Sequence, residues 1–224
     1  MSQSCARTAT AVTFALTVFA ATVSADDSCV VVRVYDTGNA ASEVRAASMR
    51  IAAAIVEDAG IAVDWHDCSD SGDSSCKKSP RTLNLIVRIM PTFVAVPGKA
   101  VLRSSVETHE SVGRSDVQLG FAVIDPVTRA GTMATIFDDQ VRDVARRSGV
   151  DRSELLGRAL AHEVGHLLLR EMSHSPTGLM RAVWTDAELS LNRLEDWVFA
   201  PLDRHRLQLN FIEADPDLVS SSPQ

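Results

Sequence analysis

The stretch His162-Glu163-Val164-Gly165-His166 limits this chain more than any other. Residues four apart on an α-helix lie one turn above each other, so the two imidazoles share a face and can grip one metal ion. A glutamate directly after the first histidine can reach a water on that ion and serve as general base in hydrolysis. The flanks make the helix a buried one. Asp151-Arg152-Ser153-Glu154 has the form of a capping box. Leu155, Leu156, Ala159, Leu160, Val164, Leu167 and Leu168 then give a broad apolar surface, so a central helix is expected over 152–170. Histidines on such a helix need polar partners, and a metal supplies one for both. Surface histidines, or core histidines satisfied by hydrogen bonds, are the competing readings. The reading adopted is one catalytic Zn2+.

Catalytic zinc takes three protein ligands and keeps a position for water. His174 is the first candidate for the third. If the helix continued, His174 would lie roughly 12 Å further along the axis than His166, out of reach of the same ion. The chain must therefore turn back after Leu169, where Ser173, Ser175-Pro176 and Gly178 are suitable breakers. Carboxylates are the rivals. Asp186 and Glu188 stand about twenty residues after His166, the interval at which thermolysin-like peptidases place a glutamate ligand. Alternatively they are acidic residues in the first turn of a helix.

Taken with Ser173-His174-Ser175 and Gly178-Leu179-Met180, the histidine motif resembles the metzincin clan of zinc peptidases. The resemblance implies His162, His166 and His174 as ligands and Glu163 as base. It also implies Met180 as the methionine of a turn (178–180) beneath the metal. The clan pattern has a glycine three residues after the second histidine and the third histidine three beyond that. Leu169 and Met172 hold those positions, so His174 arrives two residues late, and Arg170 and Glu171 sit where a glycine would ease the reversal. The clan's edge strand, which pairs with extended substrate, has its counterpart in Gln118-Leu119-Gly120-Phe121-Ala122. Gly120, Phe121 and Ala122 are thus candidate substrate-binding residues, against the reading of an ordinary edge strand with a bulge.

The order of elements resembles the metzincin fold, and that resemblance implies an α/β (α+β) architecture: a five-stranded mixed twisted sheet, two long helices and a small C-terminal helical subdomain. Strands are expected at Val30–Tyr35, Ile61–Trp65, Leu83–Ile89, Leu119–Ile124 and Thr132–Phe137. Val44, Ala47, Ile51, Ala54 and Ile55 give helical spacing up to Gly60. Further helices are expected over Asp138–Ser148, from Thr185 or Asp186 through Leu194, and over Leu202–Leu209. In the first of these, Arg142, Arg146 and Arg147 form a solvated face. Lys77–Pro80 and Pro97–Arg103 read as loops. Trp184 and Trp197 are expected in the core. His66, His109 and His205 have no ligand types near them at metal-like spacing, so surface or structural roles are expected.

Residues 1–25 have the form of an export signal, with Arg7 the only charge, an apolar run over 9–23, and Val23-Ser24-Ala25 suited to cleavage. The run is shorter than the roughly 20 residues of a membrane-spanning helix. Residues 26–213 then form one metallopeptidase-like domain, followed by a disordered tail over 214–224. Formal net charge is −7 and becomes one unit more negative once Arg7 leaves. No basic cluster marks a nucleic-acid surface. Cys68 and Cys76 flank a polar loop and can form a disulfide outside the cytosol. Cys29 is either a buried strand thiol or a thiol that blocks the zinc in a latent form.

The expected protein is therefore a monomeric, secreted or periplasmic zinc endopeptidase acting on peptide or protein substrates. The alternatives are a non-catalytic, zinc-stabilised secreted binding protein, or a thermolysin-like peptidase with a carboxylate third ligand.

Overall fold

A computed structural model describes residues 29–69, 76, 83–92 and 117–214. The segment expected as an export signal (1–25), His109, the tail expected beyond Ala214 and the loops expected at 77–80 and 97–103 lie outside the described residues. Among the described residues the chain is α/β, with a five-stranded mixed sheet and five α-helices.

Strand β1 (Val30–Asp36) is followed by helix α1 (Ser42–Asp58), then β2 (Val63–Asp67) and β3 (Leu83–Met90). Strands β4 (Gly120–Val123) and β5 (Met133–Phe137) lead into α2 (Asp138–Ser148) and α3 (Arg152–Leu169). Helix α4 (Asp186–Leu191), a 3-10 turn at Leu194–Asp196 and α5 (Pro201–Ala214) complete the order. Sheet order is β2-β1-β3-β5-β4. Strand β1 pairs in parallel with β2 and β3, and β3 with β5, while β4 runs antiparallel to β5 and is, among the described residues, an edge strand. β-Branched and aliphatic residues make these strands, and Val32, Val34, Leu85, Val87, Ile89 and Ile136 are buried. On β3 the alternation of buried Leu85, Val87 and Ile89 with exposed Ile86 and Arg88 marks one packed face.

Helix α3 is the centre of the molecule. It is buried on every side from Leu155 to Leu169 and packs against α1, the sheet, α2 and α5. A helix buried on every side belongs at the centre, and Arg158, His162, Glu163 and His166 are buried along with its apolar residues. Asp151 caps it, accepting from Ser153 N at 2.8 Å and Glu154 N at 3.3 Å. Only half of the expected capping box forms. The Glu154 side chain instead accepts from Arg158 Nη2 at 3.1 Å, one turn on. A complete box stands at Thr185–Glu188, opening α4.

Several boundaries shift. Helix α3 ends at Leu169, one residue early, because Arg170 adopts the left-handed conformation (φ 57°). Helix α4 ends at Leu191 rather than Leu194, with Asn192 left-handed. Helix α5 is longer than Leu202–Leu209 and includes Ala214, the first residue expected in the tail. It is tied to α1, with Gln208 Nε2 donating to Ala59 O at 2.9 Å and Arg204 pairing with Asp58 at 2.7 Å. Arg142, Arg146 and Arg147 are exposed, as expected. Cys68 and Cys76 form a disulfide with 5.7 Å between Cα atoms, and Cys29 is buried just before β1. No helix among the described residues is long and apolar enough to cross a membrane.

Candidate metal centre

Helix α3 carries His162, Glu163 and His166 in its second half, and the chain beyond Arg170 folds back to bring His174 beside them. One potential ligand atom from each of the three histidines lies within 4.8 Å of the others. The His174 ring stacks on His162 at 5.5 Å between centroids and meets His166 edge-on at 4.9 Å. Among the described residues this is the one cluster of three or more histidines, cysteines or carboxylates with metal-ligand spacing.

The protonation pattern follows from the hydrogen bonds. His162 Nδ1 lies 2.9 Å from Leu179 O, and His166 Nδ1 lies 2.9 Å from Glu171 O. A carbonyl can only accept, so each Nδ1 carries the proton and each Nε2 presents a lone pair. Those two Nε2 atoms face each other at 3.1 Å. Two lone pairs at that separation repel unless a cation lies between them. Nitrogens bound tetrahedrally at about 2.0–2.1 Å from one zinc stand roughly 3.3 Å apart. The residues present therefore fit a metal ion.

Electrostatics point the same way. Burial, then the neighbouring His166 ring, holds His162 down to about 3, despite the opposing hydrogen bond to Leu179. Burial also lowers His166 and His174. All three are neutral near pH 7, the form in which imidazole binds metal. Glu163 is 6% exposed, burial pushes its carboxyl up to about 8, and its Oε2 has no hydrogen-bond partner. A buried, unpaired carboxylate is costly, and a nearby cation would offset that cost and restore its charge.

Close packing beneath the site accounts for Gly165 in the middle of the motif. A Cβ there would stand 2.7 Å from Met180 Sδ and 2.8 Å from Phe199 Cε1. Met180 is fully buried under the helix. The turn carrying it is closed by Ser175 N donating to Met180 O at 2.8 Å, and by Ser175 Oγ donating to both oxygens of buried Asp203 at 2.6 and 2.7 Å.

A cleft of about 770 Å³ opens in front of the histidines, between β4 and the segment after Met180. Gly120 and Phe121 line it, whereas Ala122 does not and is buried on the sheet. A Cβ at Gly120 would come 2.6 Å from Thr135 O, 2.9 Å from Ile136 Cδ1 and 3.0 Å from Glu163 Oε1, so the glycine lets β4 lie close to β5 and to the glutamate. Val144, Ala159 and Leu189 give the cleft an apolar floor made by α2, α3 and α4.

The carboxylate rivals stand elsewhere. Glu188 accepts from Thr185 N and Thr185 Oγ1, each at 2.7 Å, and pairs with Arg181. Asp186 lies at the cleft rim, exposed. Trp197 is buried as expected, with the Arg158 guanidinium 4.1 Å from its ring centroid. Trp184 packs against the core, edge-on to Trp197, and also forms a wall of the cleft, edge-on to His162, with its Nε1 donating to Leu179 O at 3.3 Å. His66 pairs with Asp64 at 3.1 Å and His205 is exposed. Cys29 is not among the residues lining the cleft.

Sequence reasoning missed Leu179, Glu171, Gly165 and Trp184. The first two act through backbone carbonyls, which leave no trace in residue identity. The glycine inside the motif, in a helix that otherwise needs bulk, was the one visible signal. No protein-family model matches the chain, and no curated protein sequence matches it.

Proposed function

We propose that this chain is a zinc-dependent endopeptidase of metzincin-like fold, exported from the cell, with His162, His166 and His174 holding the metal. The observation that carries the reading is the pair of proton-free Nε2 atoms facing each other at 3.1 Å, with an unpaired buried carboxylate beside them. When bound, zinc would supply Lewis-acid activation of a water and of the scissile carbonyl. Glu163 would take the proton of the attacking water and deliver it to the leaving amine. A cation beside the carboxyl would restore its charge, so that it could accept this proton near neutral pH, and burial would favour the protonated form that then donates. His162 and His166 are held by carbonyls in the orientation that keeps Nε2 available. Trp184 walls the cleft beside His162, and the floor of Val144, Ala159 and Leu189 suits a bulky apolar substrate side chain. The exposed edge of β4 can align an extended peptide. The Cys68–Cys76 disulfide fits an oxidising compartment and hence export.

The test is cleavage of a mixed peptide library by the 26–224 protein, read by mass spectrometry. Cuts that vanish with a chelator and in Glu163→Ala, and that favour large apolar residues beside the scissile bond, are expected. A folded, zinc-loaded protein that cuts nothing would favour a zinc-stabilised binding module instead.

A further inference from the structure

The reversal after α3 is made without glycine, and the groups that hold it lead back to the histidines. Glu171 follows the left-handed Arg170, and its backbone carbonyl accepts from His166 Nδ1 at 2.9 Å. Its carboxylate, 13% exposed, faces two guanidinium groups. Arg206 of α5 donates to Oε2, and Arg129, from the turn between β4 and β5, lies 3.8 Å from the same oxygen. Arg129 Nε also donates to Arg170 O at 2.8 Å. Asn210 Nδ2 donates to Leu168 O and Leu169 O at 3.1 and 3.0 Å, covering the last carbonyls of α3. The acceptor of His162 differs, because Leu179 is fully buried and fixed by packing. The acceptor of His166 sits in a partly exposed turn and depends on these polar ties.

We propose that Glu171 is a positioning residue for His166: Arg206 and Arg129 clamp its carboxylate, so that its own carbonyl stays against Nδ1–H and Nε2 stays aimed at the metal. The inference rests on reading the three histidines as a metal site. It goes beyond that reading in assigning α5 and the β4–β5 turn a share in metal affinity. An ion pair at a helix end contributes little by itself. Here one residue carries both the clamp and the acceptor, so loosening the first displaces the second. Partners of ligating histidines typically change metal affinity about 10–100-fold when removed.

The experiment is a zinc competition titration against a chromophoric chelator, with the visible spectrum of the cobalt-substituted protein and the melting of the metal-free protein as further readouts. Glu171→Ala should weaken zinc about 10–100-fold and alter the cobalt spectrum. Glu171→Gln, which can still accept from Arg206, should fall between Ala and wild type. Should Glu171→Ala not fold, Arg206→Gln removes the main arm of the clamp from a partly exposed position, and it should weaken zinc in the same sense. Unchanged affinity and spectrum in Glu171→Ala, or in Arg206→Gln where that variant stands in for it, would overturn the clamp while leaving the metal site standing, even with a lower melting temperature. A wild-type chain that takes up no zinc would overturn the site, and the clamp with it.

Discussion

Glu163 concentrates the opposing demands of the site, since a carboxyl 6% exposed with one oxygen unpartnered costs stability in the absence of a cation. Its ordinary carboxyl value of 4.5 is raised to about 8, so the folded chain holds this proton more tightly than the unfolded chain, and the cost grows as pH rises through that interval. Glu163→Gln should therefore stabilise the metal-free protein at pH 8 by about 2–4 kcal/mol, measured by urea unfolding. The same change should leave zinc bound and reduce hydrolysis by about 10²–10⁴-fold. Gly165 gives the complementary case. Gly165→Ala drives a methyl into Met180 and the ring of Phe199, which is 1% exposed, and should cost about 1–3 kcal/mol in the same measurement.

Helix α3 was legible because its signals are local: an aspartate that caps, a broad apolar surface, histidines one turn apart. Its end was less so. A left-handed helix end favours glycine and none stands here, yet Arg170 takes that conformation, held by Arg129, Asn210 and the Arg206–Glu171 pair from elements far away in the chain. A non-glycine residue there costs roughly 1–2 kcal/mol. Arg170→Gly should therefore be neutral or stabilising by about 1 kcal/mol, since the Arg170–Glu213 contact it removes is long, at 3.9 Å, and exposed. A loss of 2 kcal/mol or more in urea unfolding would show that the arginine side chain itself holds the turn. Strand β4 stands within one residue of the expected Leu119–Ile124 at either end. The neighbours packed against Gly120 were not legible, because which atoms fill the space of a missing Cβ is a tertiary fact. Trp184 joins the core as its size suggests, and only the folded turn shows that its ring also stands beside His162.

Across the whole molecule, the order of strands and helices followed from periodicity and turn residues, and each expected strand is present within two residues at either end. What sequence could not show is how the histidines depend on carbonyls of Leu179 and Glu171, which identity does not encode. The titrations of the metal-free chain combine into one profile. His162, His166 and His174 lie below their ordinary 6.5, so the unfolded chain takes up protons first and stability falls as pH drops below about 6.5. Asp67, Asp151 and Glu188 lie below their ordinary 3.8 to 4.5, so their stabilisation is present above those values and is lost as pH falls through them. Glu163 alone acts oppositely, lowering stability from 4.5 up to about 8. Chelated protein should thus be most stable near pH 6.5, with a decline on the alkaline side that disappears in Glu163→Gln. A wild-type profile that stays flat from pH 6.5 to 8.5 would show that Glu163 is ionised without metal.

Zinc stoichiometry bears most directly on the central claim. Native mass spectrometry and competition titration of the folded wild-type chain should find one zinc per molecule, and each of His162→Ala, His166→Ala and His174→Ala should lose it, while Glu188→Ala and Glu163→Gln keep it. Zinc retained at full affinity by His174→Ala, or no zinc bound by the folded wild-type chain, would contradict the account.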